Sequence, residues 1–394
     1  MFTHMLVLLI AVRLGEVQAV GETEIVIKGG TLVTAYGVRE ADIWIQEGKI
    51  AQIAKGQMNS KKQGKSTGQA EIFDASRYYV LPGFIYMGSF QLNRLRNVSA
   101  YLREIRNLVE LGCTSMLDTV RMEEWMGVEQ LLYHLTPHYN NLIDYAMQIG
   151  LEARQFAPPL LRMLGRRGMR LIQVAIREPH QINSVQWDML HTIIHQYHLS
   201  VQLSIPKEQA ISEEQRQEIA TAWLDRCQYW RIRTRIEQLG PLLPTQKESF
   251  YHVAMLGPGH CDRWFHHLLH NWYDPFPAIS SIEKVTIRHP ELRKKPTELL
   301  SLLVRLSSTN IAKALGIYPR KGCLQQGADA DFLFIEKSAW LTNFDLSTIL
   351  NCSEICLPTY VMSNGKWIYR DGVHSPLVGT GSYLQELKPY SHVM

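Results

Sequence analysis

Long apolar runs are missing from this chain of 394 residues. Residues 5–12 come nearest, but Arg13 interrupts them, far short of the ~20 apolar residues a spanning helix needs. No membrane span is expected. The first residues also carry no Lys or Arg of the kind that opens a secretory leader. Small residues at 19–21 keep export open as the alternative, and residues 1–22 read as an N-terminal arm or leader on a cytoplasmic protein. The six cysteines are scattered and form no disulfide framework. Cys352 and Cys356 lack the second pair that a structural zinc would need. No Gly-rich phosphate loop and no internal repeat occur. The net charge is only +4, and the basic clusters (Lys61, Lys62 and Lys65; Arg166, Arg167 and Arg170; Arg293, Lys294 and Lys295) are short and separated. They read as solvated surface, with no nucleic-acid partner.

With 46% hydrophobic and 20% charged residues, the chain has material for a sizeable core. Residues 24–56 alternate apolar and polar side chains, with breaks at Gly29-Gly30, Tyr36-Gly37 and Glu47-Gly48. That period of two predicts short antiparallel strands. Further on, helix and strand patterns alternate, as parallel βα units do. Tyr101, Leu102, Ile105, Leu108 and Val109 form a helical stripe that Ser99 can cap and Gly112 ends, before a strand at 113–118. A helix at 158–164 precedes a strand at 170–175, and a helix at 189–197 precedes a strand at 200–205. Ser212 with Gln215 is a capping box for a long helix that runs to Gly240-Pro241. The last strand is placed at 249–256. Thr309 or Asn310 can cap a helix that Pro319 and Gly322 stop before the strand at 332–335.

Three stretches carry a family resemblance. Residues 24–56 and the later Asp74-Ala75 and Tyr79-Val80-Leu81-Pro82-Gly83 resemble the opening of hydantoinase-type proteins, and residues 307–336 (SSTNIAKALGIYPRKGCLQQGADADFLFIE) resemble the family's return to its small β domain. The chain is thereby similar to the amidohydrolase superfamily, in its dihydropyrimidinase, hydantoinase and dihydroorotase branch. The resemblance implies an α/β fold: a TIM-like (β/α) barrel at 83–321 beside a small β sandwich formed by both chain ends, 23–82 plus 322–394. Between the anchors fewer than eight strands are evident by pattern. One or two βα units are therefore expected to be missing, leaving sheet edges that association would cover.

The family's metal ligands are not at the positions where the resemblance puts them. The first barrel strand should end Asp-x-His-x-His, and residues 80–90 read VLPGFIYMGSF, with Gly88 and Phe90 in place of the imidazoles. The bridging carboxylated lysine aligns with Gln173, the next histidine with Ser204, and the catalytic aspartate of the last strand with Gly259. The second histidine of the pair falls in the stretch read as deleted. No cofactor is expected, although active relatives hold zinc. Metal binding lowers the pKa of water from roughly 15.7 to about 7, so its loss makes hydroxide scarcer by roughly eight to nine orders of magnitude. A general base typically restores only about 10²- to 10⁴-fold.

His260 and Asp262, with Cys261, are the candidates for a different site, because the resemblance puts them just past the last strand, where barrel active sites lie. His266, His267 and His270 follow at helical spacing; the alternative for both groups is a polar loop and a solvated helix. His191, His195 and His198 lack the glutamate of a His-Glu-x-x-His motif and read as an exposed helix face. Two functions compete. One is a non-catalytic homologue acting as scaffold or regulatory subunit, in a homo-oligomer or with an active relative. The other is a hydrolase of C–N bonds in cyclic amides, by altered or single-metal chemistry.

Overall fold

The computed structural model describes residues 24–55, 70–90, 97–206, 211–237, 252–256, 278–279, 296–342 and 358–384. The amino-terminal part supplies β1 (Ile25–Thr34), β2 (Gly37–Gln46), β3 (Lys49–Ala54), β4 (Glu71–Asp74) and β5 (Tyr78–Pro82). β1 and β2 pair antiparallel with a register shift between Ile27 and Gly30. There Gly29 takes a left-handed φ of +68°, and its N–H donates to Asp42 Oδ1 at 2.7 Å.

The barrel strands follow: β6 (Phe84–Phe90), β7 (Cys113–Arg121), β8 (Asp144–Glu152), β9 (Leu171–Ala175), β10 (Ser200–Ser204), β11 (Thr234–Glu237), β12 (His252–Leu256) and β13 (Ala278–Ile279). The eight form one sheet in sequence order, and each neighbouring pair is parallel. Between them run α1 (Val98–Glu110), α2 (Val128–Tyr133), α3 (Pro158–Arg166), α4 (Pro179–Asn183), α5 (Trp187–Tyr197) and α6 (Glu213–Tyr229). α7 (Pro296–Val304) continues through a π-helical stretch, Arg305–Thr309, into α8 (Asn310–Leu315). The π stretch packs against both end strands, β6 and β13, and Ser308 Oγ donates to the Gly83 carbonyl at 2.7 Å.

The chain then returns through β14 (Phe332–Glu336), α9 (Lys337–Thr342), β15 (Tyr360–Ser363), β16 (Lys366–Arg370) and β17 (Val373–His374). These join β1–β5 in one nine-stranded sheet, with β14 antiparallel to β5. Ile27, Ile43 and Ile45 share a core with Phe332, Phe334 and Met362. The β2–β3 and β15–β16 turns meet so closely that a Cβ on Gly48 would lie 2.7 Å from the Asn364 carbonyl oxygen. The sandwich is thus one sheet folded over on itself.

Side chains alternate across the barrel strands as a period of two requires. Tyr145, Met147, Ile149 and Leu151 of β8 pack into the layer under the helices. Ala146 joins Ile85, Leu117 and Leu171 inside, where Ile311 and Leu315 of α8 meet them. At the amino-terminal end of β8, Lys321 Nζ lies 2.5 Å from Asp144 Oδ2, 2.6 Å from Asp331 Oδ2 and 3.0 Å from Asp329 Oδ2. Burial alone would depress this ammonium, but the three carboxylates hold it raised. The cluster fastens the barrel floor to the β sheet.

Several expectations are corrected. No strand is missing from the barrel: the strand at 249–256 is the seventh, and the eighth is the short β13. A two-residue strand has no periodicity to read. The long helix from Ser212 stops at Tyr229 rather than Gly240, and β11 follows it. The capping box itself forms, with the Gln215 N–H donating to Ser212 Oγ at 3.3 Å. Asn97, not Ser99, caps α1, accepting from the Ala100 N–H at 2.7 Å. Thr309 and Asn310 have helical dihedrals within a helix that began at Pro296, so neither is a cap. With eight strands present, missing barrel units no longer argue for association.

Candidate functional site

The strand register assembles a polar row. Arg121 of β7 pairs with Gly150 of β8, Gly150 with Gln173 of β9, Gln173 with Gln202 of β10, and Gln202 with Arg235 of β11. Lateral partners in a sheet share a face, so Arg121, Gln173, Gln202 and Arg235 stand side by side. The Arg235 Nη2 donates to Gln148 Oε1 at 2.8 Å. Gln148 lies on β8, and β9 and β10 intervene. A bond that spans two strands runs through the barrel interior, so this face is the lumen.

Arg235 is 1% exposed, and burial pushes its guanidinium down to about 9, which leaves it charged at neutral pH. Its Nε and Nη1 have no hydrogen-bond partner, and neither does the buried Gln202 Oε1.

Above the row, at the carboxyl ends of the strands, Glu152 of β8 binds Arg177 through both oxygens; the Nη2–Oε1 bond is 3.1 Å. Arg121 Nη2 adds a contact at 3.4 Å. The hydrogen bond from Arg177 is the main reason the Glu152 carboxyl is held below its usual range. Arg121, Trp125, Glu152, Arg154 and Arg177 border a cleft of about 600 Å³ at this rim. This is the end of a barrel at which substrates bind.

Of the positions that the resemblance singled out, Gln173 and Ser204 are half-buried on β9 and β10, the fourth and fifth barrel strands. Gly88 and Phe90 lie on β6, with their side chains outside the described residues. Gly259, His260 and Asp262 also lie outside the described residues, as do His266, His267 and His270. Their sequence position follows the seventh strand, β12, rather than the last, so the argument that placed them beside the last strand loses its premise. Arg235 escaped the sequence reading because residues 234–237 fell inside the helix expected to run from Ser212 to Gly240. The signal available was the alternation of Ile232, Thr234 and Ile236 with Arg233 and Arg235 just past a helix.

A dinuclear zinc centre does not fit these side chains. A glutamine amide cannot form a carbamate, Ser204 offers a neutral hydroxyl, and a guanidinium is all donors. Among the described residues, the carboxylates spaced to hold a cation are Asp144, Asp329 and Asp331, and the Lys321 ammonium sits between them at the opposite end of the barrel.

Two other clusters are packing features. His138 Nε2 approaches Asp118 Oδ2 at 3.2 Å and its Nδ1 lies 3.0 Å from the Tyr101 hydroxyl, but all three side chains are buried among the residues between β7 and the helices. His191 stacks on Trp230 at 4.3 Å, and His195 Nε2 meets the Trp230 carbonyl at 3.2 Å. Both are on α5 at the outside of the barrel, as expected of an outer helix face.

Comparison with known proteins agrees with this architecture. The amidohydrolase family profile matches residues 281–368. Dihydropyrimidinase-related protein 5 of Homo sapiens is 33% identical over 90 residues, 20% of this chain and 16% of that protein. D-hydantoinase of Geobacillus stearothermophilus is 48% identical over 59 residues, 15% of this chain and 11% of that protein. Sequence similarity thus spans a small part of these relatives. The fold similarity spans nearly all of the chain. A D-hydantoinase structure superposes with a TM-score of 0.66 at 16% identity, covering 93% of this chain and 100% of that one. Dihydropyrimidinase from Brevibacillus agri gives 0.68 at 14% identity, covering 94% and 100%. Over residues 281–368 the chain is thus similar to the amidohydrolase family. Its fold is that of the hydantoinases and dihydropyrimidinases.

Proposed function

We propose that this chain is a non-catalytic member of the cyclic-amidohydrolase branch, which keeps the barrel but not the metal centre and acts as a binding or regulatory subunit. One observation carries the reading: on the fourth, fifth and sixth barrel strands the lumen-facing positions hold Gln173, Ser204 and Arg235. A buried guanidinium that is charged at neutral pH opposes a second cation in the same lumen, since like charges at ~4 Å cost about 4 kcal/mol at an effective dielectric of 20. Function resides in the site rather than in the fold, and these residues offer no route to a metal-activated water.

The test is turnover. Purified protein, supplied with zinc and assayed against dihydropyrimidines, hydantoins and dihydroorotate, is expected to show no hydrolysis above the metal-only blank. Hydrolysis that disappears in His260→Ala would instead establish the competing reading, a hydrolase of C–N bonds in cyclic amides built on the residues after the seventh strand.

A further inference from the structure

We infer that the lumen of this barrel binds a small carboxylate ligand bearing an N–H or O–H next to the carboxylate, held by Arg235 and Gln202; this rests on the metal-free reading of the same site. A buried ion without a partner is strongly disfavoured. Arg235 is such an ion. Its one hydrogen bond goes to the neutral Gln148, while Nε and Nη1 are unspent. The three N–H bonds on those two nitrogens are aimed into the lumen, and a carboxylate is the group whose geometry and charge a guanidinium matches best.

The protein supplies no counter-ion of its own among the described residues of this row. Glu152, at the rim, already receives Arg177 and Arg121. Glu152 is thus taken up by Arg177 and Arg121, and among the described residues no carboxylate pairs with Arg235. Gln202 refines the ligand. It is the lateral partner of Arg235 on the adjoining strand, and its buried Oε1 accepts nothing. An unpaired acceptor beside unpaired donors calls for a ligand with both an anionic acceptor and a donor hydrogen. The row also has an approach. Arg121, at the end of the row, borders the rim cleft.

N-acetylglycine carries a carboxylate and an adjacent N–H, and serves as the probe; acetate lacks the donor, and chloride controls for ionic strength. Isothermal titration calorimetry on the full chain, with its zinc content measured on the same sample, is expected to show saturable binding of N-acetylglycine. Acetate should bind about tenfold more weakly, the loss of one desolvated hydrogen bond. The decisive variant is Gln202→Glu, which puts a carboxylate beside Arg235. It should raise the melting temperature without ligand and abolish binding of the probe. A metal-free chain that binds no carboxylate overturns this inference and leaves the non-catalytic reading intact. So does a Gln202→Glu chain that binds as well as the parent or is less stable than it. Stoichiometric zinc with turnover overturns the non-catalytic reading itself.

Discussion

At the scale of single residues, charge decides where this protein is strong. Lys321 is 1% exposed at its side chain and pairs with Asp144, Asp329 and Asp331 at the barrel floor. Replacing it by methionine keeps the volume and leaves the buried Asp144 and Asp331 without a paired cation among the described residues, while Asp329 keeps Lys49 and Arg320. Lys321→Met should cost about 3–5 kcal/mol in denaturant unfolding, whereas most surface substitutions fall within about 0.5 kcal/mol. At the opposite end Glu152 has its pKa lowered from the usual 4.5, first by the hydrogen bond from Arg177. A folded-state pKa below the unfolded value stabilises the protein above the unfolded pKa, and that gain is lost as pH falls through the folded one. The melting temperature of Glu152→Gln should therefore lie below that of the parent at neutral pH. The two curves should converge as the pH drops below about 4.5; a constant gap down to acid pH would mean that the Glu152 charge does not matter.

At the scale of elements, helix α6 shows how capping and packing share the work. Ser212 closes its first turn, and Ser212→Ala should cost about 1 kcal/mol. Further along, the indole N–H of Trp223 donates to Thr234 Oγ1 at 2.8 Å, which in turn donates to the Val201 carbonyl at 3.0 Å. Thr234→Val leaves a buried indole donor unpaired and should cost about 1–3 kcal/mol, measured by urea unfolding. Elements with long, one-sided patterns were legible in the sequence: β7, β9, β10, α1, α3 and α5 all lie where periodicity puts them. β8 was not, because eight of its nine residues are buried and a strand covered on both faces has no alternation to reveal it. β13 was too short to read. The helical stretch around Thr309 misled because capping residues can also lie inside a helix when tertiary contacts occupy them; Thr309 Oγ1 donates to the Gly322 carbonyl at 2.6 Å. The site was half legible. Family spacing led to Gln173 and Ser204, but Arg235 emerged only once the sixth strand was in register with the fifth.

At the scale of the whole molecule, the barrel and the β sheet are one mechanical unit. Leu81, Leu333, Val361 and Ile368 of the sheet belong to the same apolar cluster as the barrel's helix layer, and the Lys321 cluster ties the floor of one to the edge of the other. Among the described residues no helix is long and apolar enough to cross a membrane. Thermal unfolding should follow a single cooperative transition by both far-ultraviolet circular dichroism and tryptophan fluorescence; two separated transitions would show that the sheet and the barrel fold independently. The central claim concerns what fills the barrel. Among the described residues the lumen-facing positions of the fourth to sixth strands hold amides, a hydroxyl and a guanidinium, and the proposed reading is that no zinc is held there. Metal content of the purified, zinc-incubated and desalted protein, measured by inductively coupled plasma mass spectrometry, tests that directly. The account predicts far less than stoichiometric metal, and one or two tightly held zinc ions per chain would contradict it.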